Sequence, residues 1–149
     1  MSHVRPSILS DCDYIAKNIR EHDERELGLW DISPKEALVT GYSMSVQPLT
    51  VIASSMPCAM FGVSPGGHPG FGIVWLLGTP ELFCTRVPFI RQSSLWLEHI
   101  CAPFCDVGNW VDSRNSSHLR WLKWLGFAVT ETKSVKNVPV LFHHLKVNH

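Results

Sequence analysis

The amino-acid sequence predicts an α/β domain of the α+β kind, with a mixed, mostly antiparallel sheet of about six or seven strands flanked by about four helices. Three observations carry this expectation. Apolar runs of strand length and segments of helical spacing follow in the order strand, two helices, three strands, helix, strand, helix, two strands. A helix between strands that are neighbours in sequence requires some parallel pairing. The segment from Asn109 to Phe127, NWVDSRNSSHLRWLKWLGF, compresses a strand, a polar turn, an aromatic-rich helix and a Gly-Phe that opens another strand.

Each element has its own signal. His3 to Ile8 is a short strand around Pro6, and Ser10 caps a helix with Asp13 as a weak capping-box partner. Ile15 and Ile19 form its apolar side, Glu21 to Glu26 its charged exposed side, and Gly28 ends it. Ser33-Pro34-Lys35-Glu36 starts a second helix, to about Met44, with a capping hydroxyl, a proline at the first helical position and a glutamate that reaches back.

Leu49 to Ser54 and Cys58 to Val63 read as a hairpin across Ser55-Met56-Pro57. The Gly/Pro-rich Ser64 to Gly70 turns the chain into Phe71 to Leu77, whose unbroken apolar run predicts a strand buried on both faces. After the break at Gly78-Thr79-Pro80-Glu81, a helix from Pro88 to about Ala102 packs through Phe89, Leu95, Trp96, Leu97 and Ile100. Strand Asp106 to Asp112, helix Ser116 to Leu125, strand Phe127 to Thr132, a turn at Ser134 to Asn137 and strand Val138 to Leu145 complete the chain.

Composition narrows the function classes. With 45% hydrophobic and 17% charged residues, 149 residues build one domain over 1–149 with a sizeable core. Thirteen basic residues balance thirteen acidic ones with no basic run longer than two, which argues against nucleic-acid binding. Phe71 to Leu77, the longest strongly apolar run, is far short of the roughly 20 residues of a spanning helix. MSHVRPSILSDCD has charge and proline where a secretory leader needs apolar residues, so a cytoplasmic location is expected.

Five irregularly spaced cysteines, Cys12, Cys58, Cys84, Cys101 and Cys105, argue for reduced thiols. His99, Cys101 and Cys105 form an H-x-C-x3-C cluster, but a structural zinc wants four ligands, and buried apolar cysteines are expected instead of a metal site. Cys84 and Cys105 lack a His-Asp constellation that would make them nucleophiles.

Asn115 is expected as the cap of its helix, and His118 as a surface residue of the first turn, with proton handling beside Asp112 and Arg114 as the sharper alternative. His68 is expected in solvent, and Arg120 and Lys123 on a solvated face. A packed core seldom needs two tryptophans on one short helix, so one of Trp121 and Trp124 should be exposed, where it can anchor a partner.

The element order and the ending Asn115 to Gly126-Phe127 resemble the GNAT acetyltransferase fold. The resemblance implies that the fourth strand offers backbone groups at Val74, Trp75 and Leu76 to the pantetheine arm of acetyl-CoA. It also implies that Gly78, Thr79 and Arg86 lie in the pyrophosphate loop and that Asn115 meets a pantetheine amide. The chain departs from the pattern in that loop: GTPELFCTRV, Gly78 to Val87, has no Gly-x-Gly, and Glu81 would repel a diphosphate. Leu122 stands in the place of the tyrosine that often protonates the departing thiolate, and His118 replaces a small alanine and would crowd the cofactor channel.

A narrower resemblance rests on WLLGTPEL (Trp75 to Leu82), RQSSLWLE (Arg91 to Glu98) and the Asn109 to Phe127 segment. These are similar to the internal virion protein A family of short-tailed bacteriophages. That implies a virion or assembly factor of the internal core or DNA-ejection machinery, working through phage or host protein contacts, a homodimer included. It also places the protein in the host cytoplasm during infection, and in the virion. The expected state of the acetyl-CoA site is degenerate, with acetyl-CoA as cofactor only if the ancestral site is open. The alternative is an active acetyl-CoA-dependent N-acetyltransferase with a divergent loop, for which His118, Asp112 and Glu81 are the candidate catalytic groups.

Overall fold

Short-range signals place the first helices differently from the expected single long one. Asp11, not Asp13, reaches back to the start of helix α1 (Leu9–Lys17): its carboxylate accepts the Ile8 N–H at 3.0 Å. The chain then breaks at Asn18 and restarts as α2 (Glu21–Leu29), whose first turn holds Glu21, Asp23 and Glu24 at the positive end of the helix dipole. Helix α3 (Pro34–Met44) begins as expected, with the Ser33 hydroxyl accepting the Glu36 N–H at 3.2 Å. The computed structural model describes the backbone of residues 2–147 and the side chains of all of these except 2 and 83–91.

Strands β1 (Ser2–Pro6), β2 (Leu49–Ala53), β3 (Met56–Pro65), β4 (Phe71–Gly78), β5 (Asp106–Asp112), β6 (Ala128–Val135) and β7 (Val138–Lys146) form one sheet in the order β1-β2-β3-β4-β5-β7-β6. Every pairing is antiparallel except β4 with β5, as the crossover through α4 (Leu82–Cys101) demands. Helix α4 starts well before Pro88, and α5 (Ser116–Trp124) follows β5. The described residues form five helices rather than about four, because the first predicted helix is two. Ser54 and Ser55, and Lys136 and Asn137, turn the two tight hairpins with φ between 50° and 67°.

Alternation along the strands divides the core into two layers. Met60 and Leu77 pack under α1 and α3 with Cys12, Ile15 and Leu38. Phe61, Val74 and Leu76 point the other way, to Leu97 and Ile100 of α4 and Trp121 and Leu122 of α5. Strand β4 is therefore buried on the face toward α4 and α5, while its other face is half-buried at Phe71, Ile73 and Trp75 and buried at Leu77, so the two buried faces its apolar run predicts are met in part. A buried carboxylate stitches one edge: Asp11 accepts two hydrogen bonds from Arg5, at 2.8 and 2.9 Å, and one from the Thr50 hydroxyl at 2.8 Å.

Trp121 is buried and Trp124 exposed, one of each as expected. Arg120, Lys123 and His68 are exposed, and Leu95 is exposed instead of packed. Cys101 is buried, and burial pushes its thiol up to about 12. Cys105 corrects the expectation of buried thiols, since the turn before β5 leaves it exposed. Cys84 and Phe89 lie outside the described side chains. Among the described residues no group of three or more His, Cys, Asp or Glu is placed to hold a metal, and no helix is long and apolar enough to cross a membrane.

Candidate functional site

The parallel ladder of β4 and β5 is short. It pairs Phe71 with Asp106, Gly72 with Val107 and Ile73 with Gly108, and the strands then part. Strand parity turns the backbone groups of Val74, Leu76 and Gly78 toward the gap. At the closed end of the gap, Asn109 replaces a ladder bond with its side chain, donating from Nδ2 to the Val74 carbonyl at 2.8 Å.

At the open end the bridge is helix α2. Gly78 donates its N–H to Asp23 Oδ2 at 2.9 Å, and its carbonyl accepts the Arg20 N–H at 2.9 Å. Arg20 Nε donates to the same Asp23 oxygen at 2.6 Å, so the carboxylate is paired as well as hydrogen-bonded. On the far side, Asn115 Nδ2 donates to Asp23 Oδ1 at 3.0 Å and to Glu26 Oε1 at 3.2 Å. Glu26 Oε2 accepts the Asp112 N–H at 3.0 Å, and its other oxygen lies 3.4 Å from His118 Nδ1. Three residues spaced three apart, Arg20 at the cap of α2 and Asp23 and Glu26 on it, thus span from the end of β4 to the end of β5 and the start of α5.

Beneath this bridge lies a cavity of about 320 Å³, lined by Trp30, Trp75 and Trp110 together with Asp23, Glu26 and His118. Trp75 is held by a hydrogen bond from Nε1 to the Ser45 hydroxyl at 2.8 Å, and its ring lies against Gly41, where an added Cβ would stand 2.6 Å from it. Hairpin β6–β7 closes one side. Lys136 Nζ binds Asp31 Oδ1 at 2.5 Å and the Gly28 carbonyl at 3.1 Å.

The expected site residues are brought together only in part. Trp75, Leu76, Gly78 and Asn115 border the gap, while Val74 contributes its carbonyl and turns its side chain to the α4 and α5 layer. Thr79 is buried and pinned away, its N–H on the Cys58 carbonyl at 2.8 Å. Arg86 lies outside the described side chains. Asn115 caps α5 through Oδ1, on the His118 N–H at 3.3 Å, and spends its amide nitrogen on the α2 carboxylates.

His118 is a correction. It is buried rather than on the surface, because Asn115 turns the first turn of α5 toward the gap, and its Nε2 has no hydrogen-bond partner among the described residues. Asp112 is also buried. Burial alone would raise its carboxyl, but hydrogen bonds from the side chain and N–H of Arg114 hold it below the usual carboxylate range. Glu81 is exposed at the start of α4, away from the cavity, and the Thr79 hydroxyl holds its carboxyl low. The charged face from Glu21 to Glu26 is exposed at Glu21, Glu24 and Arg25 as expected, but Asp23 is a correction: it is buried, against a buried Arg20. An i, i+3 pair of opposite charge followed by a second acid was the available signal.

Comparison with solved structures places the fold. The acetyltransferase of GNAT family from Streptococcus pneumoniae superposes with a TM-score of 0.68 over 99% of this chain and 100% of that one, at 10% identity. The ribosomal-protein-S18-alanine N-acetyltransferase from Escherichia coli gives 0.70 over 100% and 96%, at 9% identity. An aminoglycoside acetyltransferase in complex with coenzyme A gives 0.66 over 98% and 95%, at 14% identity. The chain has the GNAT fold. No family model matches the sequence, and no curated protein matches it.

Proposed function

We propose that this is a GNAT-fold binding domain whose acetyl-CoA cleft is closed by its own second helix, and that it acts through protein contacts in a phage virion or its assembly. One observation carries the first half: the gap-facing backbone of β4, where a pantetheine arm would bond, is held at both ends of the gap, which leaves only Leu76 between them facing the cavity. Asn109 holds Val74, and Asp23 and Arg20 hold both backbone groups of Gly78. The residues present do not fit the cofactor. The start of α4 carries Glu81 in place of a glycine-rich phosphate loop, and Leu122, buried in the core, has no proton to give. The virion setting rests on the sequence resemblance at Trp75 to Leu82, Arg91 to Glu98 and Asn109 to Phe127.

The experiment is native mass spectrometry of the purified protein, followed by calorimetry with acetyl-CoA. No co-purifying CoA and no heat of binding are expected. Tight acetyl-CoA binding with acetyl transfer to any amine would overturn the proposal.

One observation favours a second reading, an active N-acetyltransferase with a divergent cofactor loop. The strands do part, and of the three candidate catalytic groups His118 lines the resulting cavity beside Glu26. That reading requires α2 to leave Gly78 when cofactor binds, and the same calorimetry decides it.

A further inference from the structure

The wall chemistry of the α2 cavity has a feature that closure of the cofactor cleft does not explain. Lys133, an exposed residue of β6, extends its ammonium over two of the cavity's tryptophans, 4.2 Å from the ring centroid of Trp110 and 5.5 Å from that of Trp30. Among the described residues this ammonium makes no ion pair, whereas Lys136 three residues on binds Asp31. A lysine ammonium carries three N–H donors that normally seek water or oxygen. Here the chain holds one between aromatic faces.

Such a seat attracts positive charge through the ring quadrupoles and supplies no acceptors for N–H groups. It therefore suits a cation that has no N–H to satisfy and sheds water readily. Glu26 in the cavity lining adds negative potential, and helix α2 carries Glu21, Asp23, Glu24 and Glu26 against Arg25, with Asp23 paired to the Arg20 that precedes the helix. We infer that the faces of Trp110 and Trp30 beside the cavity are a seat for an alkylated ammonium, above all a trimethylammonium group, and that Lys133 covers them in the free protein as a displaceable internal competitor. This deepens the reading of the domain as a binding module and rests on it. A quaternary nitrogen has no lone pair, so the group seated here is not itself an acyl acceptor. The group can come from a choline-like small molecule or from a trimethylated lysine of a partner protein.

The test is calorimetry, with the tryptophan indole N–H resonances followed by NMR, on the wild-type protein, Lys133→Ala and Trp30→Ala. The probes are tetramethylammonium, choline, a peptide carrying trimethyl-lysine, and dimethylbutanol, the neutral carbon isostere of choline. Lys133→Ala should bind tetramethylammonium on the order of tenfold more tightly than wild type, Trp30→Ala more weakly, and the neutral alcohol should not bind. Preference for choline or for the peptide identifies the source. Because Trp30 is 36% exposed, its truncation leaves the fold testable. The inference fails if Lys133→Ala shows no saturable tetramethylammonium binding at millimolar concentration, or if dimethylbutanol binds equally well. Neither result bears on acetyl-CoA, whose titration is read separately.

Discussion

Asp23 Oδ2 accepts the backbone N–H of Gly78 across 2.9 Å, and so ties the second helix to the last residue of the fourth strand. The same oxygen takes Arg20 Nε at 2.6 Å, and both side chains are buried. Truncating one partner of such a pair strands the other's charge out of water. Asp23→Ala should therefore destabilise the fold by about 3–5 kcal/mol, read from the urea midpoint. Asp23→Asn keeps an acceptor for Gly78 and should cost clearly less. Equal losses in the two variants would mean that the Gly78 bond does not matter.

Gly41 and Trp75 form the second support of the cavity. A Cβ on Gly41 would lie 2.6 Å from the ring of Trp75, whose Nε1 is bonded to Ser45. An indole wall cannot bend away as a flexible chain end does. Gly41→Ala should cost about 1–3 kcal/mol by overpacking, and should shift the Trp75 indole N–H resonance as the Ser45 bond lengthens. An unchanged resonance with unchanged stability would show that the helix moves instead.

Much of the fold was legible because its signals are local. Ser33-Pro34 starts a helix, glycine and proline punctuate the hairpins, and the apolar run of β4 reads as a strand. The site was legible where it depends on a single element: Asn115 is a cap, and one of the two α5 tryptophans is exposed. It was not legible where it depends on tertiary contact. A helix reading EHDERELGL is polar enough to look solvated, and while the i, i+3 pair of Arg20 and Asp23 is visible in its spacing, the meeting of Asp23 with Gly78 from 55 residues away is not. The burial of His118 is hidden from the sequence for the same reason, since its first turn faces a gap whose far side is Glu26, 92 residues away. Lys133 over Trp110 needs the β6–β7 hairpin to be folded first.

The two tryptophans of α5 should behave oppositely. Trp121 is buried and donates to the Ser93 hydroxyl at 3.3 Å, so Trp121→Ala should cost about 3–5 kcal/mol. Trp124 is 50% exposed, so Trp124→Ser should stay within about 0.5 kcal/mol. If Trp124 anchors a protein partner, its variant keeps the wild-type Tm and loses the contact, which chemical crosslinking during assembly would record.

Restoring the tyrosine that the GNAT pattern places at Leu122 should not restore chemistry. Leu122 is 1% exposed in the layer between α5 and the sheet, so the larger phenol must displace neighbours or bury an unsatisfied hydroxyl. Leu122→Tyr should lose about 1–3 kcal/mol of stability, with no acetyl transfer gained. Measurable transfer by this variant would show that acetyl-CoA reaches the gap after all.

Acid should loosen the protein in two stages. Burial pushes the His143 imidazolium down, and the nearby His118 adds to this against the opposing Leu141 carbonyl and Glu26. With the folded value below the unfolded one of about 6.5, the unfolded chain binds more protons below that pH, so His143's share of stability is complete above it and declines as the pH falls toward the folded value. The second stage belongs to Asp11 and Asp112. Burial opposes their charge, but Arg5 and Arg114 hold both carboxyls below the usual range, so their contribution persists above about pH 4 and is lost as the pH falls through the folded values. Urea midpoints measured from pH 8 down to 3 should show both stages, and His143→Gln should flatten the first and leave the second. A first stage of unchanged slope in that variant would assign it to other histidines of the chain.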